Sequence, residues 1–406
     1  MRRALTTFDA VCLGLNAVIG SGIYLFPGTL AQKLGPASIL AWVATGALCL
    51  PLALAFAVLG AGEERTGGPL RYAERAFGRG ASFVVGWSAW TTSVISWAAV
   101  ARAVSANAAP FWPLLSRNAP GLAVSSVIVI GLAWLNVRGV KIGARVMVVL
   151  TLAKLVPLLI FLAAGLVHLD ARRFEPVAPR GFGALPAMTL MTLFAYQGFE
   201  VVGVPSGEAR DPRRAVPRAV LLSLLLPALV YTLVQVVYVG VGGGDGAAPL
   251  AAAAERFLGP GGATLLALGG LVSTLGFNAG TALCAPRYLE ALAEERLLPA
   301  VLAKPHPRYG TPATAIVVSA ACTLVVGSLL DFEKLVDLAA LAVLGQYVAS
   351  SAALMRLDRG RTRWLGLVAI LVSLLFAAQG RPREYVLLAL VLLGGGLLSI
   401  VSSARR

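Results

Sequence analysis

The first apolar stretch of the chain, roughly residues 8–34, carries Gly20-Ser21-Gly22 near its middle and Pro27 five residues later. A helix needs about twenty predominantly apolar residues to cross the hydrocarbon core of a bilayer. This stretch is long enough, yet it sets its poorest helix formers at mid-depth, where Gly costs about 1 kcal/mol and Pro about 3 kcal/mol relative to Ala. Unpaired backbone cannot face lipid there. It persists only inside protein or beside a water-filled cavity. The break therefore reads as a device that offers bare N–H and C=O groups to a small polar solute.

Composition sets the environment. With 58% hydrophobic and 13% charged residues and a mean hydropathy of +0.81, a soluble globular fold is excluded. Twelve apolar stretches are centred near residues 20, 48, 95, 129, 157, 195, 230, 273, 321, 345, 371 and 393, and no cleaved signal is expected. The chain reads as one polytopic, all-α membrane domain over 1–406. The net charge of +15 is a topology signal and calls for no nucleic-acid partner, because 23 of the 34 Lys and Arg fall in loops and tails on one side and nine on the other. The positive-inside rule then puts both termini in the cytoplasm. Cys12, Cys49, Cys284 and Cys322 all lie in apolar stretches, and His168 and His306 lie in loops, so neither a disulfide framework nor a metal site is expected.

Between the spans, residues 63–80 read as an amphipathic segment on the inner membrane surface or as a charged loop with one helical turn. The Gly- and Ala-rich run 242–260 reads as an outer re-entrant or surface helix. The sixth stretch, roughly 185–205, mirrors the first. It holds Phe194-Ala195-Tyr196-Gln197-Gly198-Phe199-Glu200 at mid-depth and ends at Pro205. A lone membrane glycine usually permits close helix packing. Two interrupted helices in matching positions of oppositely oriented halves point instead to an inverted-repeat transporter site.

Three ionisable residues fall inside the stretches, where a charge costs a few kcal/mol or more. Arg102 sits near the outer interface, within reach of snorkelling. Lys154 lies close to the bilayer centre. It is either a buried pin between helices or a fixed or titrating cation in place of a sodium ion. Glu200, just after the second break, is a proton acceptor or a static acceptor for freed N–H groups, while Glu208 reads as a solvated loop charge. Tyr24, Phe194, Tyr196 and Phe199 flank the breaks, with Phe194 placed as a lid over a bound solute or as core.

Taken together, these residues make the chain resemble the amino acid–polyamine–organocation (APC) permeases over roughly Ala10–Met355. The resemblance rests on Gly20-Ser21-Gly22-Ile23-Tyr24 with Pro27, on Phe194 through Glu200, on the run Gly207-Glu208-Ala209-Arg210-Asp211-Pro212-Arg213-Arg214-Ala215-Val216-Pro217, and on Pro286 through Ala293 with Leu298-Pro299 and Gly310-Thr311-Pro312. It implies twelve transmembrane helices with a five-plus-five, LeuT-like inverted-repeat core and discontinuous helices 1 and 6. The first repeat would cover 8–170, the second 184–355, and two further helices 362–403. It also implies alternating access and the seating of an amino acid. N–H groups near Gly20, Ser21, Gly22 and Ile23 would hold the carboxylate, as a helix N-terminus suits. Carbonyls around Ala17–Ile19 and around Phe194, Ala195 and Tyr196 would hold the ammonium. Lys154 would stand where sodium-coupled relatives bind the ion, beside carbonyls of the first span and a hydroxyl of Ser273 or Thr274.

The expected function is therefore sodium-independent, proton-coupled transport of neutral L-amino acids across the cell membrane, with an amino acid and H+ as partners and no cofactor. Gln197, Thr92, Ser93, Asn278 and Thr281 are the candidate polar liners, with Gln197 leaving the substrate open. Alternatives are an obligate exchanger, a cationic amino-acid or polyamine transporter, and a non-transporting sensor; a sensor usually carries a signalling tail, whereas this chain ends close to its last apolar stretch. Nothing resembles an enzyme centre, and no Gly-x-x-x-x-Gly-Lys loop suggests ATP coupling. A monomer or homodimer is compatible with all of this.

Overall fold

The computed structural model describes residues 6–390 apart from 66, 110, 139–142, 205, 207–208, 245 and 247, and describes 143–147 by backbone alone. Pro205, Gly207, Glu208 and the stretch centred on residue 393 thus lie outside the described residues. Every regular element described is helical. Among the described residues, seven helices are long and apolar enough to cross a membrane, with Gly22–Ala61 taken as one, or eight if the bent pair Thr362–Ala377 and Pro382–Leu390 forms one span.

The first stretch divides as its glycines require. Helix α1, Thr7–Val18, starts at a capping box in which the Thr6 hydroxyl accepts from Asp9 N–H and the Asp9 carboxylate accepts from Thr6 N–H. It stops before Gly20, and α2 resumes at Gly22–Leu34. Helices α3 (Ser38–Ala61), α4 (Pro69–Phe77), α5 (Arg79–Ala108), α6 (Asn118–Val137) and α7 (Gly143–Gly165) follow. The second interruption closes α8, Leu185–Tyr196, after which Gln197 is extended and a 3-10 turn runs Phe199–Gly203. The chain continues through α9 (Pro212–Gly240), α10 (Pro249–Glu294), α11 (Ala313–Leu329), α12 (Phe332–Leu357) and α13 (Thr362–Ala377).

Burial sorts the helices into centre and rim. Helix α5 is the spine, buried along most of its length and packed on α10, α12, α4, α11 and α6. Helices α6 and α7 present Val127, Ile130, Trp134, Leu152, Val156 and Leu159 outward. An apolar rim around a bundle whose polar groups point inward is the surface that hydrocarbon requires.

Two connecting segments take definite form. Residues 69–77 form a nine-residue helix, but its apolar face, with Leu70, Tyr72, Ala73 and Ala76, is buried against protein rather than laid on lipid. It packs on α5 and α12. Its charged face is tied to neighbouring elements: Arg71 pairs with Glu74 and with Glu295 after α10, and Ser82 of α5 also donates to Glu295. In the 242–260 run, a helix begins at Pro249 and bends at Gly259, whose φ is +67°, before the long body of α10.

The two interruptions touch. Gly198 has φ +126°, and a Cβ there would lie 2.5 Å from the carbonyl carbon of Ala17. Both the left-handed backbone and the clash demand glycine. Gly198→Ala is accordingly expected to destabilise the protein by about 2 kcal/mol or more, read as a lowered melting temperature of the purified protein; an unchanged melting curve would contradict this contact.

Candidate functional site

The peptide groups freed between α1 and α2 fall into two sets. The N–H groups of Gly20, Ser21, Gly22 and Ile23 meet no acceptor among the described residues. They form the N-terminus of α2, which carries about half a positive elementary charge. The Ser21 hydroxyl beside them is fully buried and likewise unpartnered. Gly22 lets α2 approach α8, since a Cβ there would come within 2.7 Å of the Ala195 methyl. This corner is suited to an anion.

Most of the freed carbonyls, by contrast, are already bonded. Lys154 of α7 is wholly buried, and its Nζ donates to the carbonyls of Asn16 (3.0 Å) and Ile19 (2.6 Å). Ser273 of α10 lies 3.1 Å from the Ile19 carbonyl and 3.0 Å from that of Gly20. The Tyr231 hydroxyl of α9 is 3.0 Å from the Val18 carbonyl and 3.2 Å from that of Ala195, so one side chain spans both breaks. At the second break, Glu200 accepts from Gly198 N–H (2.9 Å) and from the Tyr347 hydroxyl of α12 (3.0 Å). Among the described residues, the carbonyls of Ala17, Phe194 and Tyr196 are left without a donor.

A cavity lined from α1, α5, α8, α10 and α12 lies against these groups. Of the residues singled out from sequence, Ala17, Phe194, Gln197 and Glu200 line it, joined by Thr92, Ser93 and Thr281. Phe277 connects it to the anion corner, its ring lying 3.3 Å from where a Gly20 Cβ would stand. On another side the Phe194 ring packs on Phe26 at 6.1 Å, and Phe26 on Phe332 at 6.4 Å, so aromatics from α2, α8 and α12 form a plug. Phe332 opens α12 beside its N-cap Asp331, which accepts from Lys334 Nζ at 2.6 Å and from Lys334 N–H at 3.0 Å. Those two bonds hold the Asp331 carboxyl below its ordinary value.

Other expected residues sit elsewhere. The Thr274 hydroxyl returns to the Gly270 and Leu271 carbonyls of its own helix, so Ser273 alone reaches the first break. Tyr196 turns into the core, donating to the Trp42 carbonyl at 2.9 Å and packing on Trp42 and Tyr231. Asn278 is buried and donates to the Thr274 carbonyl. Ile19, Gly20, Ser21, Gly22, Ile23, Ala195 and Tyr196 are not among the residues that line the cavity. Sequence reasoning passed over Asn16, whose amide donates to the Gly276 carbonyl, and over Tyr231, Tyr347 and Gln346. A glutamine inside an apolar stretch was a readable signal for Gln346; the tyrosines offered none, since aromatics in a bundle are mostly packing.

Comparison with known proteins fixes the family. The amino acid permease family model matches residues 5–403, and the chain belongs to that family. It is similar to the branched-chain amino acid permease BcaP of Bacillus subtilis, 24% identical over 88% of this chain and 82% of that one. It is also similar to the serine/threonine exchanger SteT of Bacillus subtilis, 27% identical over 86% of this chain and 82% of that one. Mouse cationic amino acid transporter 4 is 28% identical over 88% of this chain, which spans 60% of that longer protein. These are membrane transporters rather than enzymes.

Tyr231→Phe removes a hydroxyl that reaches both breaks. It is expected to cost about 1–2 kcal/mol, the worth of a buried hydrogen bond whose acceptor is left dry, seen as a lower midpoint in thermal denaturation. A midpoint equal to that of the unmodified protein would remove Tyr231 from the site's scaffold.

Proposed function

We propose that this protein is a secondary active transporter of neutral L-amino acids in the cell membrane, proton-coupled and independent of sodium, with both termini in the cytoplasm. Its architecture in this reading is twelve spans with a five-plus-five inverted-repeat core, residues 8–170 and 184–355, followed by two helices over 362–403. The observation that carries the reading is a corner of free donors set behind Phe277, next to a cavity whose lining includes free acceptors. Four consecutive free N–H groups, Gly20–Ile23, stand for the carboxylate. The unbonded carbonyls of Ala17 and Phe194 stand for the ammonium, and both residues line the cavity. An amino acid is the small solute that carries both charges one carbon apart. Alternating access follows from the plug: Phe26, Phe194 and Phe332 close one side and would have to part for the other state.

Lys154 supports sodium independence, because its ammonium already occupies the carbonyls a cation would need. Proton release from Lys154 would free the Asn16 and Ile19 carbonyls and let α1 shift against α7, giving a coupling step. The same two bonds, if permanent, favour an obligate exchanger instead. Glu200 is engaged by Gly198 and Tyr347, which weighs against its receiving a cationic side chain.

Uptake of a radiolabelled amino-acid panel into proteoliposomes, empty or preloaded, separates these readings. Accumulation in empty vesicles that a protonophore abolishes is expected; uptake confined to preloaded vesicles would replace symport by exchange. Lys154→Ala should flatten the pH dependence of uptake, and an unaltered profile would leave Lys154 a structural pin. Gly22→Leu should abolish binding of every amino acid in protein that still elutes as a single species. Retained affinity would sink the carboxylate corner.

A further inference from the structure

Two glutamines in the cavity wall are not used by anything described so far. Gln197 is extended in the second break and 7% exposed; Gln346 lies within α12 and is 2% exposed. Both line the same cavity. The Nε2 of Gln197 and the Oε1 of Gln346 are buried and have no hydrogen-bond partner. Buried polar atoms in folded proteins are nearly always bonded, and an exception calls for a ligand or a function.

The neighbouring hydroxyls do not relieve them. Thr92 returns to the Ser88 carbonyl at 2.9 Å and Ser93 to the Ala89 carbonyl at 2.8 Å. Glu200 is engaged by the Gly198 N–H and the Tyr347 hydroxyl. The wall thus offers one free amide donor from the break and one free amide acceptor from the facing helix, with apolar surface from Phe194, Phe277 and Val201 around them.

Building on the reading of this cavity as an amino-acid site, we propose that Gln197 and Gln346 form a side-chain subsite selecting amino acids with a neutral carboxamide, asparagine and glutamine. A carboxamide carries a donor and an acceptor on one planar group, as each wall amide does. Turning either wall amide through 180° exchanges its donor with its acceptor and leaves the match intact. An aliphatic side chain of similar size would bury both amides dry. A site built to hydrogen-bond a substrate group discriminates strongly against the analogue that lacks it. The subsite makes Gln197 and Gln346 specificity-determining residues, separate from the peptide groups that hold the α-carboxylate and α-ammonium.

The test is a competition-binding panel on the purified full-length protein, using L-asparagine, L-glutamine, L-serine, L-leucine and L-arginine. It is repeated on Gln197→Leu, Gln346→Leu and, as gentler changes, Gln197→Met and Gln346→Met, with melting curves confirming that each variant is folded. Asparagine or glutamine should bind at least about tenfold more tightly than leucine, a difference that corresponds to one decade in Kd. Each substitution should shift the amide-to-leucine ratio toward leucine by about tenfold or more. Leucine, serine or arginine binding best to the unmodified protein, or a ratio that no folded variant changes, would overturn the carboxamide subsite and leave the amino-acid site standing. Folded protein that binds no amino acid of the panel would overturn both.

Discussion

A backbone interrupted at the middle of a membrane has to find its hydrogen bonds outside the helix ladder, and in this chain side chains from three other helices and one glutamate of the second break supply them. Lys154 from α7, Ser273 from α10 and Tyr231 from α9 take the carbonyls of Asn16, Val18, Ile19 and Gly20. Glu200 takes the N–H of Gly198. Without them each freed peptide group would cost several kcal/mol in hydrocarbon. The supports also fix what remains. They take every freed carbonyl of the first break except that of Ala17 and spare the four N–H groups from Gly20 to Ile23, so the break acquires a net donor character that the α2 dipole reinforces.

The same supports tie the break to the bundle. Lys154 links α7 to the end of α1, Asn16 links α1 to α10 through the Gly276 carbonyl, and Tyr231 joins the two interruptions. A movement of α1 would therefore have to be shared by α7, α9 and α10. The aromatic contact of Phe26 with Phe194 and Phe332 engages α2, α8 and α12 instead. Two sets of contacts, one polar and one aromatic, thus meet at opposite halves of the interrupted pair.

Much of this was legible from residues alone, and the limits were physical. The interruptions were visible because glycine and serine at mid-depth contradict helix propensity, and Lys154 because a charge in an apolar stretch demands a reason. Ser273 and Thr274 were inseparable in sequence; a turn of about 100° between neighbours on a helix sends one to the break and the other back to its own carbonyls. Tyr196 stood beside the break yet faces the core, since its direction depends on where Trp42 lies. Tyr231 could not be found at all, for a tyrosine far along the chain declares its partner only when the fold brings them together. The surface segment 63–80 was recognised as amphipathic, but amphipathicity does not say whether lipid or protein covers the apolar face.

In the proposed transporter the free N–H groups at the start of α2 receive the carboxylate of an amino acid while Lys154 stays on the carbonyl side. The most direct measurement is a structure of the protein in lipid nanodiscs, solved by electron cryomicroscopy at saturating concentration of the amino acid that uptake selects. Carboxylate density is expected within hydrogen-bonding distance of the Ser21, Gly22 and Ile23 N–H groups, with the Lys154 ammonium still held by α1. Density for the amino acid in another cavity, or a carboxylate paired with Lys154, would contradict it.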